Sequence, residues 1–178
     1  MEKNFGTEKV EEELINLFPS FNIARMDVDT VKGKHSHDEM IRNFEQRHMD
    51  ILVGTQMVVK GLDFEHVALV GILDADGLLA FTDFRVNERA FQLMEQVSGR
   101  AGRRGEKGSV VIQTSKPGHP IIMDVINHDY KSFYSKEIDS RKLFHYPPYT
   151  RLIQLFFRHT DKNKAFEAAN FFASRTLP

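Results

Sequence analysis

Asp50-Ile51-Leu52-Val53-Gly54-Thr55 is a short, continuous apolar run closed by a glycine and a hydroxyl. Runs of this kind read as strands of a parallel sheet buried on both faces, because the crossover helices cover each side. Val67 to Leu73 has the same character, and Gly108-Ser109-Val110-Val111-Ile112-Gln113-Thr114 is a third such run. Upstream, Asn22-Ile23-Ala24-Arg25-Met26-Asp27-Val28 is strand-like and is followed by polar residues. Helical patterns lie between these strands. Thr7 can cap a helix whose apolar residues Val10, Leu14, Leu17 and Phe18 share one face, with Pro19 as its stop. Ser36 and Glu39 form a capping box ahead of Met40, Ile41 and Phe44. From about Asn87 a further helix turns Ala90, Phe91, Met94 and Val97 inward and ends at Gly99. Helices alternating with such strands predict an α/β fold with a parallel sheet and right-handed crossovers, extending to about Thr114.

Past Thr114 the pattern changes. A helical stretch covers roughly Pro120 to Phe144, and His145-Tyr146-Pro147-Pro148-Tyr149 interrupts it, because two prolines cannot continue a helix. Arg151 to Phe157 reads as a strand, and Thr160 or Asp161 then caps a helix carrying Phe166, Ala169 and Phe172. The expected division is therefore a first domain over residues 1–144 and the beginning of a smaller α+β domain over 145–178. Neither end resembles a natural boundary, so the sequence is expected to be a piece of a longer protein.

Bulk composition sets limits. A chain of 178 residues with 41% hydrophobic content can bury one good core. Its net charge of −1 means that any phosphate contact must come from a local arrangement. Without cysteines it holds no disulfide and no cysteine-ligated zinc, consistent with a cytoplasmic protein. No apolar run is long enough to span a bilayer, so no membrane partner is expected.

Two segments carry chemistry. In Gln96-Val97-Ser98-Gly99-Arg100-Ala101-Gly102-Arg103, followed by Arg104-Gly105, two arginines three residues apart each adjoin a glycine. Glycine permits tight turns and close approach to a ligand, while the planar guanidinium fork matches phosphate oxygens. The plainer reading is a solvated arginine-rich loop. In Gly54-Thr55-Gln56-Met57-Val58-Val59-Lys60-Gly61-Leu62-Asp63-Phe64, the chain leaves the carboxyl end of a strand, where α/β sheets bind ligands. There Thr55 offers a hydroxyl and an N–H to a phosphate oxygen, Gly61 allows close approach, and Asp63 can accept from a ribose hydroxyl or an arginine. The plainer reading here is a strand–turn–strand linker.

Other polar clusters read as structural. Asp74, Asp76 and Asp83 are hard oxygen donors, but two of them are expected to end a strand and the third to cap the next turn, with Arg85 or Arg89 as partners. His35-Ser36-His37 is too short and isolated for zinc, and Lys32-Gly33-Lys34-His35 reads as a solvated loop. No metal site is predicted. The sequence also has no G-x-x-x-x-G-K-[ST], so it lacks a phosphate-cradling P-loop.

Gln96-x-x-Gly99-Arg100-x-Gly102-Arg103 resembles motif VI of the superfamily 2 helicases, and Gly54 to Phe64 resembles their motif V. Gly6-Thr7-Glu8, Asp74-Ala75-Asp76, Asp83-Phe84-Arg85, Glu88-Arg89 and Arg141…Tyr146-Pro147-Pro148-Tyr149 resemble one branch, the primosomal protein N′ (PriA) family of replication-restart DNA helicases. The resemblance covers nearly the whole chain and implies a RecA-like helicase C-terminal lobe to about residue 114. It implies that Arg100 and Arg103 face a nucleotide, that Gln96 senses its γ-phosphate, and that Gly61, Asp63 and Gly99 lie on the nucleotide side. Thr55, Gln56 and Thr7 would contact DNA; Arg104 could substitute for either arginine or face solvent. ATP and Mg²⁺ would be bound mainly by an upstream lobe, and zinc by cysteines outside this sequence. The implied partners are forked or single-stranded DNA, with replication-restart and single-strand-binding proteins. Two competing readings are a non-catalytic DNA- or protein-binding module and another superfamily 2 enzyme, such as an RNA helicase.

Overall fold

The computed structural model describes residues 6–27, 34–55, 67–99, 101 and 108–176. The chain separates into two compact units, Met1–Glu137 and Ile138–Pro178.

The first unit begins with α1 (Thr7–Leu17) and β1 (Ile23–Met26), followed by α2 (Lys34–Glu45) and β2 (Ile51–Gly54). β1 and β2 pair in parallel, with Ile23 opposite Ile51 and Met26 opposite Gly54. Alternation along a strand sends Met26 and Leu52 to one face, where they meet Met40, Ile41 and Phe44 of α2. Arg25 and Val53 share the other face by the same register, and Asp27, just past β1, turns to that side to accept from Arg25. α1 packs against β1 and β2, and Arg25 Nε donates to Glu11 Oε2 at 3.0 Å, so α1 covers that second face.

Two helix starts differ from expectation. Thr7 is the first residue of α1 rather than its cap; Gly6 occupies the cap with no side-chain bond, while Thr7 Oγ1 donates to Asp27 Oδ2 at 2.9 Å. A hydroxyl has one proton to give, and the strand carboxylate receives it. α2 starts at Lys34, so Ser36 lies inside its first turn. Between Gly33 and the apolar face nothing breaks a helix, and propagation adds a hydrogen bond per residue.

β3 (Leu69–Ile72) and β4 (Ser109–Ile112) form a second parallel pair, with Leu69 opposite Ser109 and Ile72 opposite Ile112. The β3 ladder is shorter than its apolar run, and Val67 instead makes an isolated parallel bridge to Ala101. α3 (Ala75–Leu79) is a helix the sequence reading missed. Asp74 caps it, in a left-handed conformation (φ 54°, ψ 53°), by accepting from Gly77 N–H. Asp76 therefore sits within a helix instead of ending a strand. α4 (Val86–Ser98) packs against α3 and β3 and buries Ala90, Phe91 and Met94.

The expected helical stretch after residue 120 is two helices, α5 (Pro120–Ile126) and α6 (Tyr130–Leu143), broken where His128 takes φ 51°. Ile121, Ile122, Val125 and Phe133 join Ile72, Ala75, Ala90, Phe91 and Met94 in the main core. Phe91 and Phe133 stack with ring centroids 4.2 Å apart. Asp124 is buried in the same region, and Lys136 Nζ reaches it at 2.8 Å.

In the second unit, Arg141 Nη1 donates to the Pro147 carbonyl at 3.1 Å and steadies the Pro-Pro turn. Arg151 to Phe157 does not form the expected strand. A strand needs a backbone partner, and the described residues of this unit offer none; Ile153 stays 85% exposed. α7 (Lys162–Thr176) starts as expected, with Asp161 Oδ1 accepting from Asn163 N–H at 2.9 Å.

Candidate functional site

The predicted site residues that the structure describes fall at two places in the first unit. One is the carboxyl edge of the β1–β2 pair. Asp27 follows Met26 and Thr55 follows Gly54, so the two residues come next along the chain after the last paired position of the ladder. Thr55 is exposed, whereas Asp27 is only 7% exposed. The bond from Thr7 to Asp27 pins the start of α1 to this edge, bringing two of the three predicted DNA-side residues to one corner. Arg25 Nη1 also donates to Asp27 Oδ2, at 2.5 Å. Partial burial works against the Arg25 charge, but Asp27 and Glu11 outweigh it, and its pKa rises. None of Arg25, Asp27 and Glu11 figured in the sequence reading. The available signal was the Arg-Met-Asp alternation, which puts a cation and an acid on one strand face around a buried methionine.

The second place is the end of α4. Met94 is fully buried and Val97 half-buried, which leaves Gln96 on the exposed side of the last turn. Gly99 closes the helix with φ −66° and ψ −2°, its N–H donating to Glu95 O. An ordinary side chain adopts this conformation, and an added Cβ would lie 3.4 Å from Glu95 O. The turn itself therefore does not require glycine. Past Gly99, Ala101 bridges Val67 in parallel. The chain leading out of segment 54–64 thus pairs, at Val67, with Ala101 of the arginine segment. Gln56, Gly61, Asp63, Arg100, Arg103 and Arg104 lie outside the described residues.

The acidic cluster resolves into separate roles. Asp76 accepts from Ser115 Oγ at 2.6 Å, Thr114 Oγ1 at 2.7 Å and Ser115 N–H at 2.7 Å. Those bonds, the Ser115 hydroxyl first, hold its pKa down to about 2. Asp83 accepts from Arg85 N–H at 2.9 Å and pairs with Arg89 at 2.6 Å, and both lower its pKa, the backbone bond most. Asp74 caps α3, so the three carboxylates serve the β3–β4 edge and the turn before α4. Among the described residues, no three histidine, aspartate or glutamate side chains gather to hold a metal ion.

Comparison with known proteins bears on these motifs directly. The family described as the helicase conserved C-terminal domain matches residues 4–105, a span that includes both segments. The replication restart protein PriA of Bacillus subtilis (strain 168) is 48% identical over 160 residues, covering 90% of this chain and 20% of that protein. The PriA of Synechocystis sp. is 43% identical over 176 residues, covering 97% of this chain and 21% of its own length. That of Chlamydia pneumoniae is 43% identical over 165 residues, with 93% and 22% covered. The chain thus spans about a fifth of the length of the curated relatives it matches. Together with the parallel strand pairs and their flanking helices, these matches carry one conclusion: the chain belongs to the helicase conserved C-terminal domain family, as a RecA-like lobe of the PriA type.

Proposed function

We propose that this chain is the second motor lobe of an ATP-dependent DNA helicase that restarts stalled replication forks and moves 3′ to 5′ along single-stranded DNA. The family match over residues 4–105 carries this reading, because it spans every predicted nucleotide-side and DNA-side residue. ATP and Mg²⁺ bind mainly to another lobe, since this sequence has no P-loop. Arg100 and Arg103 reach across as arginine fingers and stabilise charge on the transferring phosphoryl group, an effect worth roughly 10³–10⁵ in rate. Gln96 senses the γ-phosphate, with Gly99, Gly61 and Asp63 beside it. The parallel bridge from Val67 to Ala101 supports grouping these residues, because Ala101 lies between Arg100 and Arg103 and Val67 comes four positions after Asp63.

On the DNA side, Thr55 and Gln56 meet the phosphate backbone, and Thr7 belongs to the same corner. Segment 54–64 links the two sides, so DNA strengthens ATP turnover and nucleotide alters DNA affinity reciprocally. Residues 1–144 form the lobe with its trailing helices, and 145–178 begin a further domain. Forked or single-stranded DNA, replication-restart proteins and single-strand-binding protein are the partners. The whole protein also carries zinc and works in the cytoplasm; no helix among the described residues is long and apolar enough to cross a membrane.

The missing P-loop and the net charge of −1 favour one competitor, a non-catalytic binding module with this fold. DNA-stimulated ATP hydrolysis by the full-length protein separates the two. Arg100→Ala and Arg103→Ala should each cut turnover by roughly 10³-fold or more while folding is retained. Near-normal turnover in both would leave the arginine segment structural and favour the module.

A further inference from the structure

We propose that Asp27 is the positioning residue of the DNA-side corner, and that the Thr7 hydroxyl acts through Asp27 rather than on DNA. The inference rests on the DNA-side role of Thr55 proposed above. Thr7 Oγ1 carries a single proton and donates it to Asp27 Oδ2 at 2.9 Å. Phosphate oxygens only accept, so the Thr7 hydroxyl cannot donate to DNA while this bond stands. The carboxylates of Asp27 and Glu11 both bond Arg25 on this side of β1, so the Thr7 hydroxyl belongs to an interlinked polar cluster.

The same bonds do something else well. Asp27 ties the first residue of α1 to the strand end beside Thr55, and Glu11, one turn along α1, grips Arg25 on the same strand face. α1 is thereby fixed at two points over β1, one of them next to the residue that meets DNA. Loosening the first point leaves the corner in its binding-competent arrangement for a smaller fraction of time. Apparent DNA affinity then falls by that fraction.

The test is ATP hydrolysis by the full-length protein as a function of single-stranded oligonucleotide concentration. Asp27→Asn keeps an oxygen acceptor but removes the charge that strengthens the bonds from Thr7 and Arg25, and should raise the half-stimulating concentration about three- to tenfold with the maximal rate unchanged. Thr7→Val should raise it similarly, Thr7→Ser should restore it, and the double variant should be no worse than either single one. Additive effects, or a shift with Thr7→Val but none with Asp27→Asn, would mean that Thr7 meets DNA directly, and the inference falls. It also falls if neither variant moves the concentration while wild type is stimulated. A wild type indifferent to DNA would overturn the proposed function together with it. Should Asp27→Asn fail to fold, Glu11→Ala frees α1 from Arg25 at a partly exposed position; an unchanged half-stimulating concentration there counts against the inference.

Discussion

Phe133 lies beyond residue 105, where the family match ends, yet it is only 4% exposed in the main core of the first unit. Replacing it with alanine tests whether α5 and α6 belong to that core. Burying a phenylalanine side chain contributes up to about 3 kcal/mol by transfer. Its stacking on Phe91, with centroids 4.2 Å apart and planes 5° from parallel, adds about 1 kcal/mol. Close-packed neighbours relax only partly around the cavity, so a total near 4 kcal/mol is expected, within the usual range for Phe→Ala. For a chain of this size each kcal/mol moves the melting temperature by about 2–4 °C, which predicts a drop of about 8–16 °C. Thermal and urea unfolding, followed by circular dichroism, reads the change. Tyr134→Ala, the next residue on the same helix and 54% exposed, serves as the control and should change stability by under about 1 kcal/mol. If Phe133→Ala costs no more than Tyr134→Ala, the α5–α6 hairpin is an appendage and the core ends with the strands.

Two other expectations follow from local geometry. NMR titration of carboxyl carbons should find Asp76 near its lowered pKa of about 2, and Thr114→Val with Ser115→Ala should return it toward the ordinary 3.8. Because the folded value is the lower one, the stabilisation is fully present above about pH 4 and is lost as pH falls toward 2; an Asp76 titrating normally in wild type refutes the bonding. Gly99→Ala should unfold like wild type, given φ −66° and a Cβ 3.4 Å from Glu95 O, yet lower DNA-stimulated ATP turnover in the full-length protein if close approach is its role. Unimpaired turnover would assign Gly99 to helix termination alone.

Much of the fold was legible because the signals were local. The apolar runs at Ile51–Gly54, Leu69–Ile72 and Ser109–Ile112 all became parallel strands, and α4 begins and ends within a residue of its predicted limits. What escaped depended on partners distant in sequence. No local pattern tells that Thr114 and Ser115 will hold Asp76, whose spacing suggested a strand end and not a five-residue helix. Likewise Arg151 to Phe157 has strand composition, but composition supplies no ladder partner. At the site, motif spacing singled out Thr55, Gln96 and Gly99, whereas Asp27 showed itself only once α1 was seen to cross β1. Thr7 was noticed for its likeness to a cap, but its hydroxyl turns to a carboxylate 20 positions away.

The consecutive residues Met26 and Asp27 also bear on how faithfully the chain folds. They enter opposite surroundings, Met26 among Met40, Ile41 and Phe44, and Asp27 against Arg25 and the start of α1. Sliding β1 by one position along β2 would exchange them. An ionised carboxylate would then enter a methionine- and phenylalanine-lined space without a counterion, at a cost of several kcal/mol. Short parallel strands of similar composition invite mispairing, since their backbones bond equally well in neighbouring alignments. Here one dipeptide makes the neighbouring alignment prohibitive, so a four-residue ladder selects a single partner and a single phase.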